Sequence, residues 1–289
     1  MFTQEELLTA LGDPYTKEVV PRFHRFAYVS DALIDRLAEQ ALAEVWGRQR
    51  YVLEKYIAVH VPWSIEQGRF TCSDRQFYVT AGHLQTRYGT PIYLVFERNR
   101  VPGTSPYALV RVGADIAAPA LPTPPDIPSA PVIPRGAEIV MLHDHILGDN
   151  AERVPYLADT PRVAQMCAVA GSIQWSLNRG LELPYWYYGK MSVLVPLYLQ
   201  TRENITEAPD LVAPLQVNAD SLLVRTVLLP SMPYANARVA VTRHDRLPPW
   251  MLAGWHAHAA SATSQQIEDP EAPQAASAPA SAEADPGGL

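Results

Sequence analysis

Residues 117–134, AAPALPTPPDIPSAPVIP, contain seven prolines in eighteen positions and divide the chain almost at its middle. Proline lacks the backbone N–H that a helix or a sheet ladder needs, so no regular hydrogen-bonded element can cross this stretch. The chain must therefore either fold as two units joined by a stiff linker or wrap the segment as a strap over one unit. The strap is the preferred reading, because the part before it holds too few strands to close a sheet of its own.

The clearest element precedes the strap. Over residues 30–46, Leu33, Ile34, Leu37, Ala38, Ala41, Leu42, Val45 and Trp46 recur at helical spacing, with Asp35, Arg36, Glu39, Gln40 and Glu44 between them. Ser30 is placed to cap the first turn and Asp31 suits its positive end. A second helix is expected from 51 to about 61, with Leu53, Tyr56 and Ile57 inward and Pro62 stopping or kinking it. Strands are expected at 76–80, 92–97 and 107–112, and after the strap at 138–142, 192–199, 211–217 and 222–229. A helix is inserted at 162–177, and the segment 234–241 leans helical through its Ala and Arg content. The fold class this implies is α+β, with two N-terminal helices packed on a mixed or antiparallel sheet and one inserted helix. Residues 20–253 form the expected domain, 1–19 an N-terminal extension and 254–289 a disordered tail rich in Ala, Pro and Ser.

With 289 residues and 48% hydrophobic content, the chain can bury a sizeable core unaided. Its N-terminus, MFTQEELLTALGDP, is acidic where a secretory signal is basic, and the longest apolar runs are of strand length. The two cysteines, Cys72 and Cys167, lie far apart and read as reduced thiols, so the expected compartment is the cytoplasm. Zinc held by a cysteine cluster is excluded by count. The net charge of −7 speaks against nucleic acid only until the tail is set aside. Glu268, Asp269, Glu271, Glu283 and Asp285 lie there without a compensating base, which leaves −2 for the body. Such a body can carry a local cationic face. Lysine is scarce (Lys17, Lys55 and Lys190), and the reliance on arginine with abundant Ala and Pro fits a high-GC bacterial genome.

Three polar blocks are candidates for chemistry. In the first, Asp144 orients His145 for acid/base work while Arg153 holds a phosphate or carboxylate, with Asn150 a further binding candidate; the alternative is that Asp144 caps a short helix and Arg153 pairs with a nearby acid or carbonyl. His143 and His145 would share a face of an extended segment, but no third ligand stands at a telling spacing and no metal is assigned. In the second, Tyr185, Trp186, Tyr187, Tyr188 and Lys190 place rings beside a cation. That arrangement stacks a base and neutralises a phosphate, or else is a turn with its rings in the core. Strand alternation puts Tyr185 with Tyr187 and Trp186 with Tyr188. In the third, Tyr234, Asn236 and Arg238 form a polar row if extended. On a helix they spread over different faces, and a buried polar network is the equal alternative.

Four segments together resemble one family. FAYVSDALIDRLAEQAL at 26–42, HDHILGDNAERVP at 143–155, LPYWYYGKMSVLVPLYL at 183–199 and RTVLLPSMPYANARV at 225–239 are similar to successive blocks of the family known as domain of unknown function 3825. Val79-Thr80-Ala81-Gly82 stands where that family has an asparagine–threonine–glycine segment. Residues 178–182 depart from its asparagine–tyrosine form. The resemblance covers about 26–250 and implies one domain. It also implies RNA as a ligand, since the domain sometimes accompanies small RNA-binding modules. The leading expectation is therefore binding of RNA or a nucleotide in an aromatic, Arg/Lys-lined pocket holding Tyr187, Tyr188, Lys190, Arg153 and Arg238. Rival expectations are an enzyme on a phosphorylated or nucleoside-like substrate using His145, and a protein-interaction module. No cofactor is indicated.

Overall fold

The computed structural model describes residues 2–101, 104–200 and 208–261. In chain order the first half holds α1 (Gln4–Leu11), α2 (Val19–Phe26), β1 (Ala27–Tyr28), α3 (Asp31–Gln40) and α4 (Tyr51–Glu66). The strands β2 (Thr71–Cys72), β3 (Gln76–Gln85), β4 (Pro91–Arg98) and β5 (Tyr107–Gly113) follow. The second half holds β6 (Glu138–Met141), α5 (Arg162–Leu177), β7 (Leu183–Tyr187), β8 (Lys190–Leu197), β9 (Leu211–Val217) and β10 (Ser221–Val224), then α6 (Tyr234–Val239) and α7 (Pro249–Ser261).

The class is α+β, with the strands divided between two mixed sheets. The first runs β1-β5-β4-β3-β2, antiparallel except for β1 on β5; the second runs β6-β10-β9-β8-β7, antiparallel except for β6 on β10. Phe77, Val79 and Ala81 of β3 and Leu94 and Phe96 of β4 face α4. The same apolar cluster includes Tyr185, Leu194 and Val212 from the second sheet. The opposite face of the second sheet, with Val193, Val195, Leu211 and Leu215, packs under Val169 and Ile173 of α5.

Four local expectations give way to packing. α3 ends at Gln40, six residues before the apolar pattern does, because Ala41 is extended (φ −67°, ψ 156°) and Leu42 N–H donates to the Gln85 carbonyl. Leaving the helix there lets Glu44 and Trp46 turn into the interior. Ser30 takes the N-cap position without a side-chain bond. Pro62 neither stops nor ends α4, which continues to Glu66. Residues from Val52 to Ile65 are buried almost throughout, and that packing outweighs the roughly 3 kcal/mol a helical proline costs. β3 runs on to Gln85 past a register shift after Thr80. There Gly82, at φ +56°, brings the backbone against α4: a Cβ would lie 2.7 Å from the His60 ring.

The ends are also more ordered than their composition predicts. Phe2, Leu7, Leu11 and Val19 are buried, so residues 2–19 are anchored on the core. Residues 254–261, expected in the tail, are the end of α7, whose Trp250, Met251 and Trp255 are buried. The rest of the expected tail, 262–289, lies outside the described residues. No described helix is long and apolar enough to cross a membrane.

The proline-rich segment lies across both halves. Its prolines recur at every third position, 119, 122, 125, 128, 131 and 134, which matches the three residues per turn of polyproline II. Ala120, Thr123, Asp126, Ser129, Val132 and Arg135, one position on, are all exposed, while Pro122 and Pro125 are buried. Gln67 and Asp126 bond reciprocally and Arg69 reaches Thr123 and Asp126. Ile127 then packs near Trp63 and Trp186, and Ala130 and Ile133 reach the second sheet's core.

Candidate functional site

The third block is a helix, and it is sealed. Tyr234 and Arg238 stand one turn apart on α6, so both reach one partner, Glu44. Arg238 Nε donates to Glu44 Oε1 at 2.8 Å and Oε2 at 3.0 Å, and its NH1 donates to the Val241 carbonyl at 3.1 Å. The guanidinium lies 4.5 Å from the Tyr56 ring centroid. Tyr234 Oη donates to Glu44 at 2.9 Å, and its ring stacks on Trp255. The Arg238 and Glu44 side chains are only 2% and 3% exposed, so neither can meet a ligand at the surface. Burial opposes the Arg238 charge, yet Tyr56 and Glu44 hold its pKa above the arginine norm. Burial, and then Glu44, push the Tyr234 hydroxyl far up. Asn236, on the other side of the helix, donates to Tyr185 Oη at 2.9 Å. The expected ligand row is thus corrected to an internal clamp between the segment after α3 and the C-terminal helices.

Beneath it, His60 bonds the Val239 carbonyl through Nε2 at 3.0 Å, so that nitrogen carries the proton. Its ring stacks on Tyr56, 4.0 Å between centroids. Burial, with His83 adding, holds the His60 pKa well below the ordinary histidine range.

The first block is a run of turns. Asp144 pairs with Arg162 and does not orient His145, whose Nδ1 bonds Asp149 Oδ2 at 3.0 Å on an exposed face. This corrects the expected acid/base pair. Asn150 donates to the His145 carbonyl at 2.6 Å, closing the turn. Arg153 Nη1 donates to the Val227 carbonyl at 2.6 Å, which directs its guanidinium to the backbone just after β10. No group of three His, Cys, Asp or Glu that could hold a metal occurs among the described residues.

The second block is where rings and cations meet at the surface. Strands β7 and β8 are joined by Tyr188 and Gly189, both with positive φ (+52° and +76°), as a two-residue turn that follows the strand twist requires. Tyr187 and Lys190 are the last cross-strand pair. Tyr185 is buried and stacks on Tyr187 at 6.2 Å, the expected same-face pair. Trp186 packs inward beside Trp63, whereas Tyr188 leaves the strand for the turn and is 44% exposed.

The N-terminal segment completes this face. Lys17 Nζ lies 5.8 Å from the Tyr187 centroid. A Cβ on Gly189 would stand 2.6 Å from the Pro14 carbonyl oxygen and 3.0 Å from Tyr15 Cα, so only glycine admits the contact. Tyr15 is 60% exposed. Two of the chain's three lysines therefore flank one tyrosine. Tyr15 and Lys17 lie within residues 1–19, the expected N-terminal extension. The available signal was the spacing Tyr-x-Lys, which occurs at Tyr15-Thr16-Lys17 and again at Tyr188-Gly189-Lys190. A surface hollow of 510 Å³ beside Thr3, Glu6, Arg98 and Tyr107 contains none of the expected site residues.

No curated protein and no solved structure matches the chain. A family model does, over residues 37–250, which takes in α4, every strand but β1 and the α6 clamp. On that match the chain belongs to the family described as domain of unknown function (DUF3825).

Proposed function

We propose that this chain binds RNA or a nucleotide through the turn formed by Tyr187, Tyr188 and Lys190. The observation that carries the reading is the meeting of Lys17 and Lys190 at Tyr187 in a lysine-poor chain. A phosphate is held by such cations, and an exposed ring beside them stacks a base for roughly 1–3 kcal/mol. Arg238 takes no part, because its guanidinium is sealed against Glu44, and Arg153 is directed to the Val227 carbonyl.

The test is fluorescence anisotropy of the full chain with labelled single-stranded RNA and labelled ATP across a salt series. Two phosphate contacts give a log–log slope of about −1.4, or roughly sevenfold weaker binding between about 50 and 200 mM salt. Absence of salt-sensitive binding to either probe withdraws the proposal.

The rival reading as a protein-interaction module draws support from the sealed Arg238–Glu44 pair, which accounts for the third block as architecture. It leaves the two lysines and the exposed tyrosines without a role. Catalysis by His145 has less support, since an exposed Asp149, and not a shielded group, engages its ring.

A further inference from the structure

Tyr187, with Lys17 over its ring and Lys190 as its cross-strand partner, is not itself a free platform. Tyr185 stacks against it at 6.2 Å and Lys17 stands over it at 5.8 Å. The rings open to solvent are its two neighbours, Tyr188 on the β7–β8 turn and Tyr15 on the loop between α1 and α2. These belong to segments about 170 residues apart in sequence, yet Gly189 brings their backbones into contact.

The loop that carries Tyr15 is fixed before any ligand arrives. Tyr15 N–H donates to Asp13 Oδ1 at 2.9 Å, Glu18 N–H to Thr16 Oγ1 at 3.1 Å, and the buried Arg22 to the Asp13 carbonyl at 2.9 Å. A platform held this way loses little entropy on binding.

Resting on the reading of this face as a nucleic-acid or nucleotide site, we propose that its ligand is an unpaired stretch of single-stranded RNA. Two adjacent bases are splayed across Gly189, one on Tyr188 and one on Tyr15, with Lys17 and Lys190 on the phosphates. Base faces are accessible in single strands and hidden inside a duplex stack. A lone nucleotide fills one ring and leaves the second without a partner. Stacking on tyrosine accepts any base, so little sequence preference is expected.

The experiment compares the full chain with Tyr15→Ala, Tyr188→Ala, Tyr15→Phe and Lys17→Gln, each confirmed as folded by circular dichroism. The probes are a labelled unstructured RNA, the same RNA as a duplex, and ATP as competitor. Expected are an at least roughly fivefold loss for each alanine variant, near-parental binding for Tyr15→Phe, and a salt slope shallower by about 0.7 for Lys17→Gln. The duplex should bind about tenfold or more weakly than the single strand. If Tyr15→Ala binds like the parent, or the duplex binds as tightly as the single strand, this inference is overturned while a site at Tyr188 and Lys190 survives. If the parent binds neither RNA nor ATP, the underlying reading falls with it.

Discussion

Replacing Arg238 with methionine keeps most of the side chain's length and removes its charge from the interior. The change deletes two hydrogen bonds to Glu44, one to the Val241 carbonyl and the cation over the Tyr56 ring. It leaves the Glu44 carboxylate, 3% exposed, with Tyr234 at 2.9 Å and His244 at 3.6 Å as its remaining partners. Removing one member of a buried ion pair costs about 3–5 kcal/mol, mainly because the other charge stays desolvated. Against a typical total of about 5–15 kcal/mol, that is a large share. Urea unfolding followed by tryptophan fluorescence is a suitable assay, since Trp46 and Trp255 adjoin the pair. The double variant Glu44→Gln with Arg238→Met should recover more than 1.5 kcal/mol of the loss, by about the coupling expected for groups in direct contact. The reasoning is refuted if Arg238→Met lowers stability by under about 1 kcal/mol yet abolishes RNA binding. Arg238 would then face a ligand and not a carboxylate.

His145→Ala should leave thermal stability within about 1 kcal/mol of the parent and RNA affinity unchanged, because the Asp149 pair it breaks is solvent-exposed; a larger loss in either measurement contradicts that placement. Gly82→Ala should destabilise by more than about 2 kcal/mol in the same urea assay, combining an unfavourable positive φ with a clash on the buried His60 ring. A neutral outcome would mean that β3 and α4 can separate at little expense. The depressed pKa of His60 means that the unfolded chain takes up a proton near the ordinary value of 6.5 while the folded chain does not. Stability from this group is therefore complete above pH 6.5 and declines as pH falls below it, by up to about 1.4 kcal/mol per pH unit. His60→Gln should flatten the profile between pH 6.5 and 5, and an unchanged profile would reject the assignment.

The elements read most accurately from the sequence are those whose cause is local. α5 occupies residues 162–177 as expected, β9 occupies 211–217, and the Ala- and Arg-rich 234–241 segment is helical over 234–239. Helical spacing, strand-length apolar runs and turn residues act over a few positions, and one chain displays them in full. Glu44 marks the limit. By periodicity it sits on the polar side of a long helix; in the fold it is buried against Arg238, 194 residues away. No local pattern announces a partner at that separation, and only the pairing offsets the desolvation of either charge. The same holds for Pro62, tolerated because tertiary packing surrounds α4.

The proposed binding face divides in the same way. Its tyrosine–lysine turn was legible, since Tyr185 to Lys190 pairs rings with a cation inside one hairpin. Tyr15 and Lys17 were not, because they join it through a close contact between Pro14 and Gly189, far apart in the sequence. Composition and periodicity determined what kinds of element this protein contains and which residue types they offer. The tertiary structure alone decided which of those residues were spent on one another inside and which were left facing solvent, because burial and pairing depend on distances in space that no sequence interval encodes.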